Sequence, residues 1–365
     1  MRNLGDTISR LTPKPARGPQ SGTRLASFEI HGPNPGALKA GKHVPSQLSA
    51  HPALVVVLHG CTQTPDAYDM GSGWSTMADR HGFIVLYPQQ QRANNPGLCF
   101  NWYSPEDARR DGGEAASIRS AIETAILQHD IDRTRVFVTG LSAGGAMTSV
   151  MLATYPEVFA GGAIIAGLPY ASATSLPEAF DRMRGHDLPS ASAAAAAVLT
   201  ASGHAGPWPS LSVWQGSADH TVAPSNADAL LAQWAGVHDL ELSLAETTEI
   251  SGHACRVWRD AAGRPVLEDY RVRGMGHGVP IDARGEGAVG AAGAYMLDCG
   301  LSSTERIAAQ WGLAPTGASG ATAAGPRRAP APVRMQASQP LPAPPVETSS
   351  VQRVIEDALR RAGLM

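Results

Sequence analysis

VFVTGLSAGGAMTSVML, residues 136 to 152, changes character at Ser142. Up to Gly140 it is rich in β-branched and aromatic residues, which favour a strand; after Ser142 it is rich in alanine and methionine, which favour a helix. Between them Gly140, Ser142 and Gly144 spell G-x-S-x-G. A serine fenced by glycine at a strand-to-helix turn is the nucleophile elbow, in which small neighbours let adjacent segments approach an exposed, strained serine.

Outward from the elbow, the chain alternates short apolar runs with helical patterns. The segments at 53–60, 83–88, 135–140, 161–167 and 211–216 are continuous and rich in Val and Ile, as strands buried on both faces of a parallel sheet are. Between them, 112–129 carries Ile118, Ile122 and Ile126 at steps of four, and 225–235 opens on a Ser/Asn pair that predicts a cap. This alternation predicts an α/β fold with a doubly wound, mostly parallel sheet flanked by helices.

A serine hydroxyl needs a base to take its proton and a carboxylate to orient that base. With the elbow first, acid and then histidine are expected downstream, each just past the carboxyl end of a strand. Asp219, in SADHTV after LSVWQG, and His277, after VLEDYRVRGMG, occupy such positions. His220 is the nearest rival base, and Asp228 and Asp239 are rival acids that read as helix or helix-end residues. For the oxyanion of a tetrahedral intermediate, the elbow offers the Ala143 N–H. VVLHGCTQ offers a second donor at Cys61, where His59 and Gly60 end an early strand.

Composition narrows the alternatives. The chain has 365 residues, 43% of them hydrophobic, and a formal net charge of -3, so it can bury a large core but carries no basic footprint for nucleic acid. No run approaches the about 18 apolar residues of a membrane span. The four cysteines, Cys61, Cys99, Cys255 and Cys299, have no metal-ligand spacing. They suit either two disulfides or buried thiols. The chemistry read here calls for no metal or organic cofactor. The expected organisation is an amino-terminal extension (1–22), a catalytic domain (23–313), a Pro/Ala/Gly-rich linker (314–349) and an amphipathic helix (350–365). No apolar signal core is read in MRNLGDTISRLTPKPARG, so a cytoplasmic location is expected, with secretion by a non-Sec route as the alternative.

LHGCTQT, CFNWY, GLSAGGAMTSVMLATYPEVFAGGAIIAGLPY, WQGSADHTV and GMGHGVP, in that order, resemble the poly(3-hydroxybutyrate) depolymerase family of esterases, in particular the catalytic domain of its extracellular type 1 members. The resemblance runs from about Arg24 to about Leu301. It implies an α/β-hydrolase fold, Ser142 as nucleophile, Asp219 as acid, His277 as base, and the Cys61 and Ala143 amides as oxyanion hole. It further implies a Cys61–Cys99 disulfide and Trp102 in the substrate cleft; Cys255 and Cys299 are then the second candidate pair. The leader and separate polymer-binding domain of secreted members are not read in this sequence. In that respect the chain resembles signal-less members acting on stored granules, with a polymer granule surface as partner and the terminal helix as candidate anchor. Similar sequences include feruloyl and other carboxylic-ester hydrolases, so a polyester and a small or aromatic ester both stand as expected substrates. A granule-surface scaffold without catalysis is the non-enzyme alternative.

Overall fold

The computed structural model describes residues 24–284 and 287–315; the extension, the linker beyond residue 315 and the terminal amphipathic helix expected from the sequence lie outside them. In chain order the elements are β1 (Ala26–Phe28), β2 (Lys39–His43), β3 (Leu54–Leu58), α1 (Pro65–Ser72), α2 (Trp74–His81), β4 (Ile84–Gln89), α3 (Gly113–His129), β5 (Val136–Leu141), α4 (Ala143–Thr154) and β6 (Gly161–Ile165). There follow α5 (Leu176–Met183), α6 (Ala191–Ala201), β7 (Ser210–Gly216), α7 (Ser225–His238), β8 (Glu246–Ile250), β9 (His253–Arg259), β10 (Pro265–Val272), β11 (Val279–Ile281), β12 (Met296–Asp298) and α8 (Ser303–Gln310).

Ten strands pair in the order β1-β2-β4-β3-β5-β6-β7-β10-β9-β8. The six from β4 to β10 run parallel; β1 and β2 at one edge and β9 and β8 at the other are antiparallel. The five apolar runs read from sequence are β3, β4, β5, β6 and β7, all inside the parallel section. Because side chains alternate along a strand, β3 sends Leu54, Val56 and Leu58 to one core layer and Val55 and Val57 to the other. The first layer also takes Ile118, Ile122 and Ile126 of α3, the stripe at steps of four, with Met147 and Met151 of α4 and Leu230 and Trp234 of α7. The second takes Trp74 and Met77 of α2 with Ile307, Ala308 and Trp311 around α8. Both faces of the sheet are thus covered, which is why these strands read as unbroken apolar runs. The outermost strand β8, Glu-Thr-Thr-Glu-Ile, is almost wholly exposed, and its glutamates keep the open edge from pairing with another chain.

The Ser/Asn cap expected for α7 is not formed. Pro224 occupies the cap position in a helical conformation with no side-chain bond, and Asn226 instead donates to the Arg182 carbonyl oxygen (2.8 Å), tying α7 to the end of α5. No helix among the described residues is long and apolar enough to cross a membrane.

Candidate active site

β5 occupies the middle of the sheet, and the chain turns at its end within one residue. Ser142 has φ 57° and ψ -119°, a left-handed backbone that an L-residue adopts only at a cost. The two glycines of the motif explain why the turn holds. A Cβ at Gly144 would fall on the Leu58 and His59 carbonyls, and one at Gly140 would lie 2.8 Å from the Leu58 oxygen and collide with Gly144. The Ser142 N–H donates to the Ile165 carbonyl (2.9 Å), fastening the turn to the neighbouring strand. Every residue of α4 is buried, so the helix behind the serine is locked into the core.

Asp219 follows β7 and His277 follows β10, the adjacent parallel strand. The two loops are stitched together: the Ser217 N–H donates to the Val272 carbonyl (3.0 Å), the Ala218 N–H to the Met275 carbonyl (2.9 Å), and the Gly274 N–H to Ser217 Oγ (2.8 Å). The buried Asp219 carboxylate accepts four hydrogen bonds. Oδ1 takes the Thr221 and Val222 amides, both at 2.9 Å; Oδ2 takes Gln215 Nε2 at 3.0 Å and His277 Nδ1 at 2.8 Å. An ionised carboxylate only accepts, so the proton of a neutral His277 sits on Nδ1 and Nε2 is left as a base. Ser142, His277 and Thr221 border one cleft together with Trp102, Tyr103 and Tyr295.

The rival residues are placed elsewhere. His220 is exposed, Asp228 is engaged by Arg271 (2.6 Å), and Asp239 caps the far end of α7. His59 is buried as a neutral ring: its Nε2 accepts from the Gln90 N–H (3.2 Å), its Nδ1–H donates to the Gly60 carbonyl (2.8 Å), and burial pushes its pKa down to about 4.

One side of the cleft is the loop after β3. Gly60 N–H donates to Gln63 Oε1 (2.8 Å), Thr62 has φ 63°, and the Thr62 N–H donates to the Gly97 carbonyl (2.7 Å). A disulfide joins Cys61 to Cys99, so the loop carrying Cys61 is tied twice to the segment 95–99. Ala143 opens α4, and its N–H belongs to the first turn, whose donors have no partner within the helix. Trp102 borders the cleft with 6% of its surface exposed. The opposite side is apolar: Leu168 after β6 and Leu176, Ala179, Phe180 and Met183 along one stripe of α5.

The second candidate pair is corrected. Cys255 and Cys299 are both free thiols. They follow the environments of two different sheets: Cys255 lies on β9 with its thiol pushed up to about 11 by burial, and Cys299 follows β12 with its Sγ turned toward the Ile281 (3.9 Å) and Leu301 (3.8 Å) carbonyls. Sequence reasoning also missed Gln215, which holds Asp219 from β7. WQGSADH places an amide four residues before the acid, but nothing in that spacing marks it as a ligand of the carboxylate. No cluster of metal-ligating side chains occurs among the described residues.

A doubly wound sheet of this strand order, with a serine elbow after its central strand and an acid and a histidine following in chain order, defines an α/β-hydrolase. The chain belongs to the family described as Esterase PHB depolymerase, which matches residues 43–244 and so includes Ser142 and Asp219. It is 45% identical over 293 residues to poly(3-hydroxyalkanoate) depolymerase C of Paucimonas lemoignei, covering 80% of this chain and 70% of that one. It is 32% identical over 270 residues to acetylxylan esterase A of Aspergillus oryzae, covering 72% and 86%. The solved acetyl xylan esterase of Aspergillus awamori matches with a TM-score of 0.68 and 27% identity, over 80% of this chain and 99% of that structure. The protein is a carboxylic-ester hydrolase.

Proposed function

We propose that the protein cleaves poly(3-hydroxybutyrate) or its oligomers through an acyl-enzyme. Ser142 Oγ attacks the ester carbonyl while His277 Nε2 takes its proton, and Asp219 holds the imidazolium that forms. The carbonyl oxygen becomes an oxyanion that accepts from the Cys61 and Ala143 N–H groups. Collapse breaks the ester bond, and the departing hydroxyl end of the polymer takes the proton from His277. Water, activated by the same imidazole, then releases the acyl half as a carboxylic acid and restores Ser142. The observation that carries the catalytic part is the His277–Asp219 pair, oriented by four bonds to the carboxylate and opening on the same cleft as the strained serine.

Two things support the polyester as substrate: the 45% identity to a depolymerase, and an apolar wall on α5 that suits the methyl-bearing repeat of a hydroxyalkanoate chain. The second reading, an esterase on small or sugar-borne or aromatic esters, is favoured by the match to nearly the whole of a solved acetyl xylan esterase. Purified protein assayed on hydroxybutyrate oligomers, amorphous polymer, acetylated xylan, feruloyl esters and short p-nitrophenyl esters separates them. The proposal expects the highest kcat/KM on the oligomers; a preference for acetylated xylan or feruloyl esters overturns it. On location, the Cys61–Cys99 bond counts toward an oxidising compartment rather than the cytoplasm, because cytosolic thiols are kept reduced. Thiol titration of protein trapped with acid at lysis decides: two free thiols support that placement, and four reject it.

A further inference from the structure

Glu114 takes no part in the reaction just described, yet it is a carboxyl buried to 1% exposure whose hydrogen-bond donors are neutral amides. Burying such a group is costly unless its oxygens are satisfied. Here three amide donors converge on it: Gln90 Nε2 and Asn101 Nδ2 (2.8 Å) on Oε1, and the Asn101 main-chain N–H (2.8 Å) on Oε2. It sits in the first turn of α3, where its main-chain N–H donates to Asp107 Oδ1 (3.2 Å). Burial pushes its pKa up to about 8, against the pull of these donors.

Both sides of this carboxyl lead to the same place. On one side Asn101 Oδ1 accepts from Asn95 Nδ2 (2.9 Å), and Asn95 Oδ1 accepts from the Gly97 (2.9 Å) and Cys99 (3.3 Å) amides, shaping the segment that receives the Thr62 N–H and the disulfide. On the other, Gln90 donates from its side chain to the Cys99 carbonyl (3.0 Å) and from its main chain to His59, whose far nitrogen holds the Gly60 carbonyl. The two arms therefore close on residues 60 to 62 from opposite directions.

We propose that Glu114 is a positioning residue for the reaction: through Asn101 and Asn95 on one side and Gln90 and His59 on the other, it sets the backbone of residues 60 to 62 and so aims the Cys61 N–H at the oxyanion. The proposal rests on the acyl-enzyme reading above. Both oxygens of the carboxyl keep acceptor capacity whether or not it carries a proton, whereas a glutamine of the same shape has one acceptor oxygen, so in either orientation its NH2 faces at least one of the amide donors. Because the Cys61 N–H is called on in the transition state and not by the resting ester, a displaced loop lowers kcat and leaves KM nearly alone.

The test uses a short p-nitrophenyl ester with Glu114→Gln, Asn95→Ala, the double variant and Ser142→Ala side by side, each assayed well below its own melting temperature. Glu114→Gln is expected to lose on the order of ten- to a hundredfold in kcat with KM within about twofold. Asn95→Ala should lose less, and the double variant no more than Glu114→Gln, because the two act along one chain of bonds. Unchanged kcat, a loss confined to KM, or losses that multiply in the double variant overturn the proposal. Should Glu114→Gln fail to fold, Asn101→Ala takes its place with the same expected split. An active Ser142→Ala would sink the parent reading; an inactive Ser142→Ala beside a fully active Glu114→Gln sinks only the role of Glu114.

Discussion

The two walls of the cleft are built by opposite means. The wall from Gly60 to Cys99 is over-determined by directional bonds: a disulfide, the Thr62–Gly97 bond and a buried amide and carboxyl network hold it. The wall from Leu168 to Met183 is a loop and one eight-residue helix, in which Ala179 is the buried residue and Leu176, Phe180 and Met183 turn half-exposed apolar surface to the cleft. Directional bonds fix a backbone to a fraction of an ångström, whereas apolar contact is non-directional and scales with area. The first wall is suited to holding amides at a developing charge, and the second to receiving chains of varied shape.

The largest effect is expected where the walls meet. Ser142→Ala should lower kcat by roughly a hundred-thousandfold or more while leaving melting temperature and ligand adsorption nearly intact, and His277→Ala on top of it should cost little more, since members of one catalytic unit are not additive. Substantial turnover by Ser142→Ala would falsify the serine as nucleophile and remove the point about which the walls are compared. Next, reducing the Cys61–Cys99 bond, or replacing both residues by serine, should lower kcat about tenfold at nearly constant KM. It should also reduce stability by roughly 2–4 kcal/mol, given the 38-residue separation of the cysteines. Loss of binding instead of rate would show that the first wall recognises substrate. A smaller effect follows on the other side: Phe180→Ala should raise KM for hydroxybutyrate oligomers about three- to tenfold with kcat within about twofold and little change in melting temperature. A fall in kcat alone would erase the contrast. The last prediction concerns stability rather than rate and belongs to His59. Its folded pKa of about 4 lies below the unfolded value near 6.5, so the unfolded chain binds the proton first, and stability present above pH 6.5 is lost as pH falls toward 4. Urea midpoints should record up to about 3 kcal/mol of this loss, and His59→Gln should flatten the slope.

The two walls also differ in how far they can be read from the chain. The elbow, Asp219 and His277 are legible because each stands where an apolar run stops beside glycine, a local signal. Five of the six parallel strands are legible as unbroken apolar runs, being buried on both faces. Glu114 is not: in GGEAAS an acid looks like an ordinary first-turn residue, and only the fold brings Gln90, Asn95 and Asn101 around it. Asn95 and Asn101 lie in a loop whose pattern predicts nothing. The apolar stripe of α5 is visible as helix, yet Leu176, Phe180 and Met183 could equally have faced the core; which way they turn depends on α7, held to the end of α5 by Asn226.

The sheet order has a consequence in time. Strands β8 and β9 are synthesised before β10 but lie outside it, so β10 takes its place between β7 and a hairpin that already exists. His277 comes just behind β10, late in a chain made from its amino end, so a growing polypeptide carries Ser142 and Asp219 for more than fifty residues of synthesis without His277. Under the proposed triad, a ribosome-bound chain stalled before residue 265 should therefore be inert toward esters however well its first nine strands have folded, and activity should appear only as the last inner strand docks.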